Sequence, residues 1–308
     1  MTLMPAMKVF YSPAYSPCTP NSSGSAIETT LKATWIAEAI ARKFPRIDLR
    51  EPTPLTEAQI AQTHDPRYVK AVLTGKPEHV ASSNSLQWSP AIWKMATASN
   101  GGVLAAARTA LQDGVSGSLS SGLHHAKYDR GTGYCTFNGL AITAQRLLRE
   151  RRVPSVLILD LDAHCGGGTH SLVSHDLRVQ HVDIFTTPFD AYIPDWSNTA
   201  EYPVHLDEYL DVIKSRLRAL QGIEFGICLY NAGMDPIHDG IPATVLQMRE
   251  KMVFKWCREQ GIPVAFTLAG GYLLKNGATG QDVTKDELID LHLATIDAAL
   301  ETFLRLNG

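Results

Sequence analysis

Within the stretch 155–170, SVLILDLDAHCGGGTH, three ionisable side chains alternate along five residues: Asp160, Asp162 and His164. Val156, Leu157, Ile158, Leu159 and Leu161 surround the first of them without polar alternation. That pattern marks a strand buried on both faces of a parallel sheet. Acids inside such a strand need a cation or a hydrogen-bonded network to offset their desolvation. The C-terminal end of a strand in an open α/β sheet is where ligands bind. Residues two apart on an extended chain point to the same side, so Asp160, Asp162 and His164 converge there.

Three further polar clusters follow buried strands in the same way: His124 with His125, then Asp235, then Gly270, Gly271 and Tyr272. Loops at one sheet edge meet in space even when distant in sequence. Asp162, His164 and Asp235 offer two carboxylates and one imidazole, a set that leaves a fourth position on zinc open to water. His124 and His125 suit proton transfer near neutrality. The Tyr272 phenol can donate to an oxyanion, and the glycines before it let backbone approach closely.

The elements that position these residues alternate. Strands are predicted at 8–11, 116–122, 155–161, 179–185, 225–231 and 264–268. Helices are predicted at 26–43, 91–111, 139–151, 207–220, 243–260 and 286–306, with short helical pieces around Thr56, Gln59 and Tyr68. Residues 12–25 form a Pro/Ser-rich loop and 81–89 a polar one. Gly101 and Gly102 cost roughly 1 kcal/mol each against alanine within a helix, which predicts either close packing or a break there. Strand–helix alternation gives a mostly parallel sheet with helices on both faces.

Composition agrees with a globular α/β chain: 308 residues, 44% hydrophobic and 19% charged, with no linker to divide it. One domain over 1–308 is expected. A net charge of -3 without a basic stripe argues against a nucleic-acid partner. The five cysteines, Cys18, Cys135, Cys165, Cys228 and Cys257, lack CxxC spacing and read as reduced thiols in the cytoplasm. The start, MTLMPAMKVFYSP, lacks the pattern of a secretory signal, and no run of about eighteen apolar residues suggests a membrane span.

Taken together, HHAKYDRGTGYCTFN (124–138), DLDAHCGGGTH (160–170), NAGMDP (231–236) and LAGGY (268–272) resemble the diagnostic motifs of the zinc-dependent histone deacetylase family. That family includes acetylpolyamine amidohydrolases and acetoin-utilisation proteins, and the likeness spans roughly residues 8–300, closest to the class IV-like branch. The resemblance implies a three-layer arginase/deacetylase fold. It also implies hydrolysis of an N-acyl amide such as acetyl-lysine or an acetylpolyamine.

By position it implies Asp162, His164 and Asp235 as zinc ligands and Tyr272 as the group that polarises the carbonyl. His125 becomes the general base and acid, with His124, paired to Asp160, assisting electrostatically. Gly133 and Tyr134 line the acyl-amine channel, beside Gly270 and Gly271. A potassium ion is implied at Asp160 and backbone near Asp162 and His164, completed by Asp183 and Ile184.

One position departs from the pattern. Relatives carry Asp or Asn two residues before the threonine of the glycine loop, to orient the second histidine; here that residue is Gly167. His125 is therefore expected to use another partner, such as a backbone carbonyl. Two competing readings follow. A di-manganese ureohydrolase would want an acid where Gly166 stands, and a binding protein that lost turnover would fit Gly167. His64, His79, His175, His181, His205 and His292 read as solvated or structural, His170 and His238 stand close to the motifs and are left unassigned, and Cys135 and Cys165 read as packing residues.

Overall fold

Apolar runs in this chain pair side by side into one eight-stranded sheet. The computed structural model describes residues 6–17, 20, 28–195, 198–203 and 205–304. The strands are β1 (Met7–Phe10), β2 (Ile47–Arg50), β3 (Val115–Ser118), β4 (Val156–Asp160), β5 (Val179–Ile184), β6 (Thr199–Glu201), β7 (Cys228–Gly233) and β8 (Val264–Ala269). Their spatial order is β2-β1-β3-β8-β7-β4-β5-β6, and every pairing is parallel. The expected sheet is thus present and wholly parallel.

Parallel neighbours need crossovers, which helices supply. They are α1 (Lys32–Lys43), α2 (Glu57–Ile60), α3 (Pro66–Thr74), α4 (Glu78–Ala81), α5 (Pro90–Asp113), α6 (Gly139–Arg149), α7 (Gly167–Val173), α8 (Tyr209–Ala219), α9 (Ala243–Glu259) and α10 (Lys285–Phe303). Alternate residues of β4 enter different cores. Leu157 and Leu159 pack with Ile213 of α8, Phe254 of α9 and Leu288 of α10. Val156 and Ile158 pack with Val69 of α3, Leu104 of α5, Leu140 of α6 and Leu172 of α7. Two cores on opposite faces of one sheet make a three-layer α/β fold.

Of the two outcomes open for Gly101 and Gly102, close packing is the one found, since α5 runs through them unbroken. A Cβ at 101 would sit 2.2 Å from the Thr53 carbonyl oxygen, and one at 102 would sit 1.9 Å from the Tyr15 hydroxyl. Neighbouring chain fills the space, which offsets the helix penalty.

The strands absent from the sequence reading, β2 (IDLR) and β6 (TAE), lie at the two edges and have no fully buried residue. An edge strand of that kind carries no apolar run to announce it. The helix expected at 26–43 begins as a 3-10 turn, Glu28–Leu31, before α1. Much of the 12–25 loop, including Cys18, lies outside the described residues. Among the described residues no helix is long and apolar enough to cross a membrane.

Candidate active site

Because all strands run one way, every β-to-α loop emerges at the same edge of the sheet. Five neighbouring strands, β3-β8-β7-β4-β5, then deliver polar residues to one place in that order. The loop after β3 carries His124 and His125, that after β8 carries Tyr272, that after β7 Asp235, and that after β4 Asp162 and His164. The loop after β5 adds Phe189 and Asp190.

Asp162, His164 and Asp235 each offer a ligand atom within 4.8 Å of the others. His164 Nδ1 lies 3.1 Å from Asp162 Oδ1 and 3.0 Å from Asp235 Oδ2. Ligands about 2.1 Å from a tetrahedral zinc stand about 3.4 Å apart, so small shifts would admit the ion. Asp235 Oδ2 is buried without a well-formed hydrogen bond, an orphan that a cation would satisfy. Although burial opposes it, Asp162 and Asp235 raise His164 to about 11. The imidazole proton thus occupies the position of positive charge between two acids.

The tandem histidines are buried beside this triplet. His124 Nδ1 donates to Asp160 Oδ2 at 2.8 Å, and Asn231 Nδ2 donates to Asp160 Oδ1 at 2.8 Å. Burial alone would lower His124, but Asp160 and Asp162 raise it to about 10, so the ring carries charge at neutral pH. His125 differs: burial and the charge of His124 hold it below its ordinary value. A neutral imidazole is the form that accepts a proton. Its Nδ1 meets Asp190 Oδ2 at 3.2 Å, so the expected backbone carbonyl is replaced by a carboxylate from the β5 loop.

The histone deacetylase domain matches residues 25–286 of this chain. The chain belongs to the histone deacetylase family. Histone deacetylase 2 of Arabidopsis thaliana is 31% identical over 193 residues, which is 56% of this chain and 48% of that protein. A probable deacetylase of Methanothermobacter thermautotrophicus is 31% identical over 205 residues, 60% of this chain and 61% of that one. The match thus spans about half the length of the first relative and under two thirds of the second. An acetylpolyamine aminohydrolase from Burkholderia pseudomallei has the same fold, with a TM-score of 0.77 at 19% identity over 96% of this chain and 99% of that chain. The HDA15 HD domain gives 0.76 at 16% identity over 97% and 90%.

In this member of the histone deacetylase family Asp162, His164 and both tandem histidines border a pocket of about 160 Å³ that opens to solvent. Gly133, Tyr134, Gly270, Gly271 and Tyr272 line it as well. Gly270 has φ +52, and a Cβ there would lie 2.2 Å from Asp235 Oδ1. Glycine therefore lets this loop close over the Asp235 side chain. The turn is braced by His238, whose Nε2 accepts from the Tyr272 backbone N–H at 3.1 Å. Burial and the Asp235 and Asp162 carboxylates push the Tyr272 phenol well above its ordinary value, so it stays protonated.

Four residues near the site escaped the sequence reading. Lys32 of α1 lines the pocket and donates to the Gly270 carbonyl; burial lowers it to about 8 against the pull of Asp235 and Asp162. Its signal was present: Lys32, Trp35, Ile36 and Ala39 share one helical face. Phe189 sets its ring 5.0 Å from that of His125 and 5.8 Å from that of His164. Asp190 and Lys127 form an ion pair at 2.7 Å. No motif marks Phe189 or Asp190, and Lys127 lies within the 124–138 cluster without a role having been read for it.

His64, Cys135 and Cys165 take structural roles consistent with the sequence reading. His64 Nδ1 donates to the Lys127 carbonyl at 2.8 Å and its Nε2 accepts from Asn138 N–H at 3.0 Å, holding both ends of the 124–138 cluster. Cys135 and Cys165 are buried and unpaired.

Behind Asp162 and Asp235, Arg249 is fully buried and donates to the carbonyls of Leu161 at 3.0 Å and Gly233 at 2.7 Å. The first carbonyl adjoins Asp162 and the second precedes Asp235 by two residues, so one guanidinium ties together the C-terminal ends of β4 and β7. Its charge is met by Glu250 at 2.7 Å. Removing one member of a buried pair costs about 3–5 kcal/mol. Arg249→Met is expected to lose that much in urea unfolding of metal-free protein, whereas an unchanged midpoint would refute the clamp.

Proposed function

We propose that this chain is a zinc-dependent amidohydrolase that removes an acyl group, acetyl in the simplest case, from an N-acylated amine such as acetyl-lysine or an acetylpolyamine. One observation carries the reading: Asp162 Oδ1 and Asp235 Oδ2 stand 3.1 and 3.0 Å from His164 Nδ1, beside a pocket lined by Asp162, His164, His124, His125 and Tyr272. Two carboxylate oxygens and an imidazole nitrogen suit zinc with one position open. Zinc held there would lower the pKa of a water molecule and polarise the acyl carbonyl.

The protein groups supply the rest. With Nδ1–H directed at Asp190, His125 keeps the lone pair of Nε2 for the attacking water's proton, and later delivers that proton to the leaving amine. His124, held charged by Asp160, stabilises negative charge developing beside it. The protonated Tyr272 phenol donates to the acyl oxyanion. Gly133 and Tyr134, with Gly270 and Gly271, flank the aliphatic stem of the substrate.

Potassium belongs to this proposal too, at Asp160 and Asp183. Asp183 Oδ1 is buried without a hydrogen bond, and burial together with repulsion from Asp160 raises this carboxyl well above its usual range. A nearby monovalent cation would relieve both. We read residues 1–308 as one domain acting in the cytoplasm, a setting supported by four buried unpaired cysteines. The ureohydrolase alternative is disfavoured at Gly166, where a Cβ would already lie 2.9 Å from Asp160 Oδ2, too close for a further metal-binding acid.

The test is a screen of the purified zinc-loaded chain against acetyl-lysine peptides, acetylpolyamines, longer acyl-lysines and small acetylated metabolites. Amine release from at least one class is expected, abolished by a chelator and restored by zinc. Metal binding with no turnover on any class would favour the binding-protein reading, and two tightly bound manganese ions would favour the ureohydrolase.

A further inference from the structure

We infer that Asp190, on the loop after β5, is the positioning residue that orients His125, and that it does so from the space Gly167 leaves open. The inference rests on the reading that His125 moves the proton. Its basis is geometric. The Asp190 side chain is 5% exposed, and three donors fix it. His125 Nδ1 lies 3.2 Å and the Gly168 backbone N 2.9 Å from Oδ2, while Lys127 Nζ lies 2.7 Å from Oδ1. A carboxylate held this way has one orientation, and it dictates which imidazole nitrogen carries the proton.

Gly167 and Asp190 are alternatives for one volume. A Cβ at 167 would lie 2.1 Å from the Asp190 carbonyl oxygen and 2.8 Å from its Cγ. Any side chain at 167 would evict the β5 loop, so the glycine and the distant acid belong to one solution. That loop is tied to the glycine loop and the ligand loop through backbone: Cys165 N–H donates to the Phe189 carbonyl at 3.0 Å, and Thr186 and Thr187 N–H donate to the Ala163 carbonyl at 2.9 and 2.7 Å. The same loop brings Phe189 against His125. The residue that orients the base is therefore the immediate neighbour of one that flanks it.

The test uses the zinc-loaded full chain with Asp190→Ala and Asp190→Asn. Asp190→Ala is expected to lower kcat on the order of 10²-fold, with KM within about threefold. Asp190→Asn should recover most of the loss, because its amide oxygen still accepts from Nδ1–H. In histidine-labelled nitrogen NMR, with the signal assigned through His125→Ala, His125 should be the Nδ1–H tautomer in the parent chain and lose that preference in Asp190→Ala. A folded Asp190→Ala variant with kcat within about threefold of the parent would overturn the inference. So would a parent spectrum showing His125 as the Nε2–H tautomer, whether or not either variant folds. Because the tautomer is read without substrate, a chain that hydrolyses no acyl amine would refute the proposed function while leaving this inference to be judged on the spectrum.

Discussion

Asp235→Ala should yield a folded chain that releases no measurable amine and gains no stability from zinc. Asp160, Asp162, Asp183 and Asp235 are all buried at the sheet edge, 0–3% exposed. The charged partners nearby are His124, His164 and Lys32. Removing Asp235 takes away a proposed zinc ligand and also the partner of His164 and the acceptor of the Ala163 N–H, so the metal-free variant should unfold below the temperature of the metal-free parent. At zinc a hundredfold above its dissociation constant, the parent should gain about 2.7 kcal/mol; the variant should gain nothing. Thermal unfolding with and without zinc reads both effects. A variant that kept zinc-dependent stabilisation and turnover would remove Asp235 from the centre.

Tyr272→Phe should separate chemistry from metal binding. The substitution deletes only the phenolic oxygen. It spares the ring, and it spares the backbone N–H that donates to His238. Loss of one oxyanion donor costs about 10²–10³ in kcat, or about 2.7–4 kcal/mol. The stability gained from zinc should be unchanged, because Asp162, His164 and Asp235 are untouched. Steady-state kinetics on whichever acyl amine proves to be a substrate decides the point, and an unaltered kcat would mean that the oxyanion is met by another group.

How much of this was legible in the sequence depended on whether the information was local. Strands β4, β7 and β8 are buried on both faces and announced themselves as apolar runs, and the acids and histidines just past strand ends followed from where parallel sheets bind ligands. The edge strands β2 and β6 bury too little to leave such a pattern. Asn231 sat inside a recognised motif, yet that it braces Asp160 at 2.8 Å depends on β4 and β7 being neighbours. Asp190 was unreadable for the same reason. The sequence showed that Gly167 lacks a carboxylate, but only the β4–β5 pairing and the path of the following loop reveal where the carboxylate comes from. Arg249 reads as an ordinary helix cation until α9 packs against the sheet and turns it toward Leu161 and Gly233.

The central claim is that Asp162, His164 and Asp235 grip one divalent ion. Anomalous diffraction at the zinc edge from crystals of the zinc-loaded chain tests it most directly. A single peak about 2.0–2.2 Å from Asp162 Oδ1, His164 Nδ1 and Asp235 Oδ2 is predicted. No peak there, or a pair of bridged metal peaks in its place, would contradict the account.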